Sequence, residues 1–258
     1  MPRFSANISM LFTERPMLDR FAAARDAGFR AVEIQFPYDH TPDELLAAKE
    51  KAKLEVAVIN IPVGDMLSGG PGLASIPGRE PLFRGVCEDA RQYAEALKPK
   101  NVNILAGWPP IDLDREECTG ALIANLRHAA EVFEPLHIKV VLEACNGRDR
   151  PNYFLQTTSQ AMGVLERAGH ANLGLQYDLY HMQIMEGDLT PTIAAVLPHV
   201  GHIQFADTPG RHEPGTGEIN FPFVFKEIDR LGYKGFIGAE YVPTKRTEDT
   251  LGWLKPYL

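Results

Sequence analysis

The sequence predicts an α/β protein, a single-domain (β/α)8 TIM barrel covering residues 1–258. Three observations point there. Short apolar or β-branched runs alternate with longer stretches of helical period along the whole chain. No Ser- or Gly-rich linker divides the 258 residues, a length that one barrel fills. The turn after the first strand, "SANISMLFTERP", holds no glycine, whereas an open dinucleotide-binding sheet would show G-x-G-x-x-G there.

Eight runs qualify as strands: "RFSANIS" (3–9), "AVEIQ" (31–35), "EVAVIN" (55–60), "NVNIL" (101–105), "KVVLEA" (139–144), "LGLQYD" (173–178), "HVGHIQFA" (199–206) and "FIGAEY" (236–241). Helices between them carry start signals. "TPDE" sets Thr41 as N-cap, Pro42 at the first helical position and Glu44 where a capping box needs it. "TTSQ" and "LTP" open later helices in the same way. Gly28, Gly169 and Gly232 each follow an apolar-periodic segment and mark helix ends. "AGFRAVEIQF" and "LGYKGFIGAEY" repeat one joint, helix end to Gly to aromatic to strand to Glu, as a barrel of like units would.

Bulk composition excludes several classes of function. With 45% hydrophobic and 23% charged residues, the chain has an ordinary globular balance. A formal charge of −8 argues against nucleic acid or an anionic membrane as partner, since both need concentrated Lys and Arg. Cys87, Cys118 and Cys145 are odd in number and widely spaced, so a reducing cytoplasm is expected rather than a disulfide framework or a zinc site. "MPRFSANISM" enters a strand without an apolar h-region, so no signal peptide is expected, and no run nears the ~20 apolar residues of a membrane span. A homo-oligomer is compatible with all of this.

In a barrel of this kind chemistry sits at the C-terminal ends of the strands. Strand five closes on Glu143, strand six on Asp178, strand seven carries Gln204 with Asp207 just beyond, and strand eight closes on Glu240. Each is about one β/α unit from the next, so the four converge on one point. Glu33, Gln35 and Asn60 end strands two and three. Three carboxylates pressed together repel one another and drive their pKa values up. A hard divalent cation, Mg²⁺ or Mn²⁺, removes that conflict and suits carboxylate and amide oxygens. No Cys or multi-His cluster stands at these ends, which disfavours zinc.

His181, three residues past Asp178, is placed over the same pocket as a substrate contact or proton carrier. The polar stretch "ADTPGRHEPGTGEINFP" (206–222) leaves strand seven over the site and carries Arg211, His212 and Glu213 across its mouth. Arg211 suits a bidentate grip on a substrate carboxylate, and Glu213 is a further substrate-binding candidate. "GTG" within this stretch is incomplete as a nucleotide motif. A second lid is expected at 62–80, with Arg79 turned inward. Cys145 reads as structural. A Schiff-base aldolase falls away, because Lys139 opens strand five instead of closing it.

With these residues in view, the chain resembles the hydroxypyruvate isomerase family, within the xylose-isomerase-like barrel superfamily that also holds ketose 3-epimerases. The likeness runs nearly end to end, through "RFSANISMLFTE", "RFAAARDAGFRAVE", "VLEACN", "QYDLYHMQ", "HIQFADTPGRHEPGTGEINFP" and "GFIGAEY". It implies a divalent metal on Glu143, Asp178, Gln204 and Glu240, with Glu143 and Glu240 as the acid/base pair. Related epimerases use a histidine that falls on His181 and an arginine that falls on Arg211. They place a histidine where Gln204 stands, and a further glutamate where this chain reads "ACNGRDR". The implied reaction interconverts hydroxypyruvate and 2-hydroxy-3-oxopropanoate through an enediolate, with a small hydroxy-oxo acid as substrate. Alternatives are an isomerase of 2-oxotetronate or a related sugar acid, an endonuclease IV-like phosphodiesterase, and a non-catalytic sugar-acid binder.

Overall fold

A computed structural model describes all of residues 1–258. Its eight parallel strands close on themselves in chain order, β1 to β8, with β8 returning to β1. The strands are Arg3–Asn7 (β1), Ala31–Ile34 (β2), Glu55–Asn60 (β3), Asn101–Ile104 (β4), Lys139–Glu143 (β5), Leu173–Asp178 (β6), Val200–Phe205 (β7) and Phe236–Ala239 (β8). All eight fall inside the runs read from sequence. Several stop one or two residues early, because the chain leaves the ladder there to build loops. Single backbone bonds carry the pairing a step further, from Ile8 N to Glu33 O at 2.9 Å and from Glu240 N to Phe205 O at 3.0 Å.

Local chemistry sets the helices. In the helix Pro42–Ala52 the Thr41 hydroxyl accepts from Glu44 N at 3.3 Å, and the Glu44 carboxylate accepts from Thr41 N at 2.8 Å, which closes the capping box. At the start of the helix Thr158–Ala168 the Thr157 hydroxyl accepts from Gln160 N at 3.3 Å, without the reciprocal half of a box. The "LTP" helix departs from expectation. It runs Leu189–Val196 and is preceded by Asp188 at φ 45°, so Thr190 lies inside it and no side chain caps it. Gly28 and Gly169 end their helices at φ 100° and 61°, conformations that cost glycine nothing. Lys53, Lys98 and His137 adopt the same left-handed turn without a glycine to announce it.

The two faces of the barrel wall differ sharply. Outward residues such as Phe4, Val32, Ile59, Val102, Leu142, Leu175, Ile203 and Ile237 join one apolar cluster of 67 buried residues beneath the helices. Inward residues are largely polar and still buried: Ser5, Asn7, Glu33, Asn101, Asn103, Glu143, Gln176, Asp178, His202 and Gln204. At the N-terminal end Lys139 crosses beneath Gly174 and Gly201, where a methyl group would sit 2.7 Å from its Cε and 2.6 Å from Val141 respectively. No helix is long and apolar enough to cross a membrane.

Candidate active site at the C-terminal mouth of the barrel

Register brings the strand ends together. Glu143 pairs with Gln176 across β5 and β6, and Asp178 with Gln204 across β6 and β7. Glu143, Asp178 and Glu240 each offer one carboxylate oxygen within 4.8 Å of the others. All three are buried.

Each carboxylate has one oxygen committed to the scaffold. Asn103 donates to Glu143 Oε2 at 3.0 Å. Tyr180 N, in the first turn of the short helix Leu179–Met185, donates to Asp178 Oδ1 at 2.8 Å. Glu240 Oε1 accepts from Asn7 at 2.9 Å, Gln35 at 2.8 Å and Gln204 at 3.3 Å. The second oxygens face the common space. Asp178 Oδ2 is buried without a hydrogen bond, and Glu240 Oε2 meets the Arg211 guanidinium.

Charge dominates this space. Burial, then Glu240 and Asp178, push the Glu143 carboxyl well above its ordinary range. Burial raises Asp178 too; Arg211 opposes that shift and Glu240 adds to it. Burial works against the Arg211 cation, but Glu240, Asp178 and Glu143 outweigh it and hold its proton more firmly than usual.

His181 sits inside the same cluster. Its Nδ1 faces two donors, Asn146 N at 3.2 Å and Asn146 Nδ2 at 2.7 Å, so Nδ1 is the acceptor and the proton rides on Nε2. That N–H lies 3.6 Å from Asp178 Oδ2 and 4.0 Å from Glu143 Oε1. Burial, then the Arg211 and Arg150 charges, hold the imidazole well below its ordinary pKa, so it is neutral.

The loop after β7 delivers Arg211 through a buried knot. Asp207 Oδ1 accepts from Thr208 N (3.0 Å) and Ile219 N (3.1 Å), and Oδ2 from Gly215 N and Gly217 N (2.9 Å each). This explains "GTG": Gly217 passes so close that an added Cβ would lie 2.1 Å from Thr208 O. Arg211 itself stands at φ 58°, with its guanidinium carbon 5.3 Å from the Tyr180 ring centre.

Other expected residues are placed elsewhere. The Glu213 carboxylate accepts from Thr244 N at 3.1 Å and from the Thr244 hydroxyl, so it ties two loops together. His212 Nδ1 is spent on Val242 O at 2.7 Å. Arg79 does not turn inward; it braces its own loop through Asp65 (2.9 Å) and Gly72 O (2.8 Å). Gln204 reaches the cluster with its amide nitrogen toward Glu240, while its oxygen accepts from Gln176 at 2.7 Å. Cys145 has His181 and Glu143 within 4.8 Å, a neighbour the sequence did not reveal. Burial, then the Glu143 and Asp178 charges, keep it a thiol.

The donor set fits a hard divalent cation. It offers three buried carboxylate oxygens, one of them without a hydrogen bond, and their mutual repulsion is what such an ion relieves. Asn7, Asn103, Asn146, Gln176 and His202 were missed from sequence as site residues. A signal for most of them was present, namely polar residues two apart within strands: "SAN", "NVN", "QYD" and "HIQ".

Comparison with known proteins shows the family. The family model for xylose isomerase-like TIM barrels matches residues 21–257, and the chain belongs to that family. The hydroxypyruvate isomerase of Escherichia coli is 45% identical over 257 residues, covering 100% of both chains. The 2-oxo-tetronate isomerase of Cupriavidus necator is 45% identical over 258 residues, covering 100% of this chain and 99% of that one. A crystal structure of an AP endonuclease, family 2, from Brucella melitensis superimposes with TM-score 0.97 at 41% identity, covering 100% and 99% of the two chains. With full-length isomerase relatives at this identity, the chain is an isomerase.

Proposed function

We propose that the protein is a divalent-metal-dependent isomerase that interconverts hydroxypyruvate and 2-hydroxy-3-oxopropanoate (tartronate semialdehyde). The carrying observation is the pair Glu143 and Glu240, each with one oxygen pinned by amides and the other facing a shared buried space. Glu143, Asp178 and Glu240 would hold the Mg²⁺ or Mn²⁺, with Gln204 as the fourth ligand through its remaining oxygen lone pair. Once bound, the cation supplies Lewis-acid polarisation of the carbonyl and charge stabilisation for the enediolate.

The protein's own groups do the rest. One glutamate oxygen takes the proton from C3, the other glutamate, entering protonated, returns one at C2, and the C3 hydroxyl proton passes to the C2 oxygen, so the substrate keeps its hydrogens; positioned acid–base groups contribute about 10²–10⁴-fold. His181 presents its Nε2 proton to a substrate oxygen. Arg211, whose Nε is buried without a partner, recognises the substrate carboxylate. Three free, buried thiols suit a reducing cytoplasm.

A second reading is favoured by one feature. A groove of about 960 Å³, lined by Trp108, Asp149, Arg150 and Tyr153 among others and by none of the carboxylate set, is linked to the site through Asp149. Asp149 accepts from Asn146, the residue that orients His181, so a longer 2-oxotetronate has room to extend there. The phosphodiesterase alternative lacks support, since the two metal-competent clusters include a single histidine. Assaying hydroxypyruvate against 2-oxotetronates and free ketoses tests the assignment. Hydroxypyruvate should turn over fastest; turnover confined to four-carbon acids would replace the first reading with the second.

A further inference from the structure

We propose that Glu33, a carboxylate buried beneath the site, is the positioning residue for Glu240. It lies on β2 with no solvent exposure. Its Oε1 accepts from the Ser5 hydroxyl at 2.6 Å and faces His202 Nε2 at 2.8 Å. Its Oε2 accepts from Gln204 Nε2 at 2.8 Å and from Asn7 Nδ2 at 3.5 Å.

The same two amide nitrogens reach Glu240 Oε1, from Asn7 at 2.9 Å and from Gln204 at 3.3 Å. Two amide groups are thus clamped between two carboxylates. A carboxylate only accepts, and an amide's nitrogen end only donates. Neither amide can flip without setting its oxygen against a negative oxygen on both sides. Gln176, donating to Gln204 Oε1 at 2.7 Å, locks the third corner. Glu33 therefore fixes the polarity of the donors that saturate Glu240 Oε1, and so leaves Oε2 as the oxygen turned to the reacting space.

The fold makes room for this arrangement. On β8, two residues before Glu240, a Cβ at Gly238 would lie 1.8 Å from Glu33 Oε1, so only glycine admits the carboxylate. Burying a carboxylate whose one ion-pair partner is a histidine is costly in itself, and an apolar side chain would fill a barrel centre at lower cost. Glu33 takes no part in the chemistry of the proposed function. It acts through Asn7 and Gln204, and the inference rests on Glu240 being one of the two acid–base glutamates.

The test compares wild type, Glu33→Gln, Asn7→Ala and the double variant by steady-state kinetics, Mn²⁺ calorimetry without substrate, and thermal melting. Loss of such an outer partner typically costs about 10–100-fold in metal affinity or activity. Glu33→Gln should lower both kcat and Mn²⁺ affinity by about that factor with KM within about threefold. On the Asn7→Ala background the further loss should be smaller than on wild type, because one of the two routes to Glu240, that through Asn7, is already cut and only that through Gln204 remains. Additive losses, or a lower Tm with kcat and Mn²⁺ affinity unchanged, overturn the proposal. Should Glu33→Gln not fold, Glu33→Asp, which keeps the charge but shortens the reach, carries the same readouts. If wild type itself neither binds Mn²⁺ nor turns over, the functional reading fails separately. A crystal structure of the Glu33 variant then decides: a displaced Glu240 upholds the positioning role, and an unmoved Glu240 with its amide donors intact refutes it.

Discussion

Asn103 donates to Glu143 Oε2 at 3.0 Å, and that bond turns Oε1 toward the imidazole of His181, 4.0 Å from Nε2. The arrangement fixes which oxygen of Glu143 is available to a substrate. Asn7 and Gln35 do the same for Glu240 from the other side of the barrel. Two carboxylates are thus aimed from the ends of β5 and β8 into one space, the arrangement that the proposed proton removal at one carbon and delivery at its neighbour would use.

Glu143→Gln and Glu240→Gln keep side-chain volume and remove the base. Each should lower kcat by about 10²–10⁴-fold. Rates on hydroxypyruvate check this, with circular dichroism to verify folding. Near-normal activity in both variants would contradict the acid–base assignment.

The buried carboxylates also give metal-free stability a pH dependence. Glu143 is pushed well above its ordinary 4.5, first by burial and then by Glu240 and Asp178. Between those two values the native state keeps a proton that the unfolded chain has released, so stability falls as pH rises through the window. His181 is depressed below 6.5, first by burial and then by Arg211, so it acts oppositely and costs stability as pH falls below 6.5. Glu143→Gln removes the first effect alone. In chelator, its Tm should exceed that of wild type by more at pH 8 than at pH 5, at roughly 2–4 °C per kcal/mol. A larger gain at pH 5 would reverse the predicted sign.

Asp207→Ala leaves four backbone N–H groups of the Arg211 loop without their acceptor. With orphaned buried donors costing about 1–3 kcal/mol each and water replacing some partners, a loss of about 3 kcal/mol is expected in urea unfolding. KM for the acid should rise about tenfold, the cost of roughly one lost charged contact. Unchanged KM would detach Arg211 from substrate recognition.

Gly238→Ala forces a methyl group onto Glu33. Overpacking of this kind costs about 1–3 kcal/mol. Melting curves should show the loss, with kcat reduced as well, and wild-type behaviour in both would mean that Glu33 has freedom to move.

The barrel was legible because its signals are local. Strand runs, the Thr41–Glu44 capping box and the polar residues closing strands five to eight each lie within a few positions. The strand-end set was legible from a longer regularity: a period of one β/α unit carries Glu143, Asp178, Gln204 and Glu240 to one mouth. What stayed hidden depends on distant partners. Asn146 orients His181 across 35 positions, and Glu33 meets Gln204 across 171. Arg211 and Glu213 stand two residues apart in one loop, yet Arg211 meets Glu240 and Glu213 meets Thr244. The backbone bonds from Asp207 N to His212 O and from Val242 N to Arg211 O, 2.8 Å each, set that path together with the Asp207 knot, and apart from Gly217 such partners leave no mark in residue identity.

The central claim is that three convergent carboxylates hold a divalent cation for isomerisation of a small hydroxy-oxo acid. It is tested most directly by following conversion of hydroxypyruvate by chelator-stripped protein before and after addition of Mg²⁺ or Mn²⁺. The account predicts no turnover in the stripped protein and recovery on adding either ion. Full turnover in chelator would contradict it.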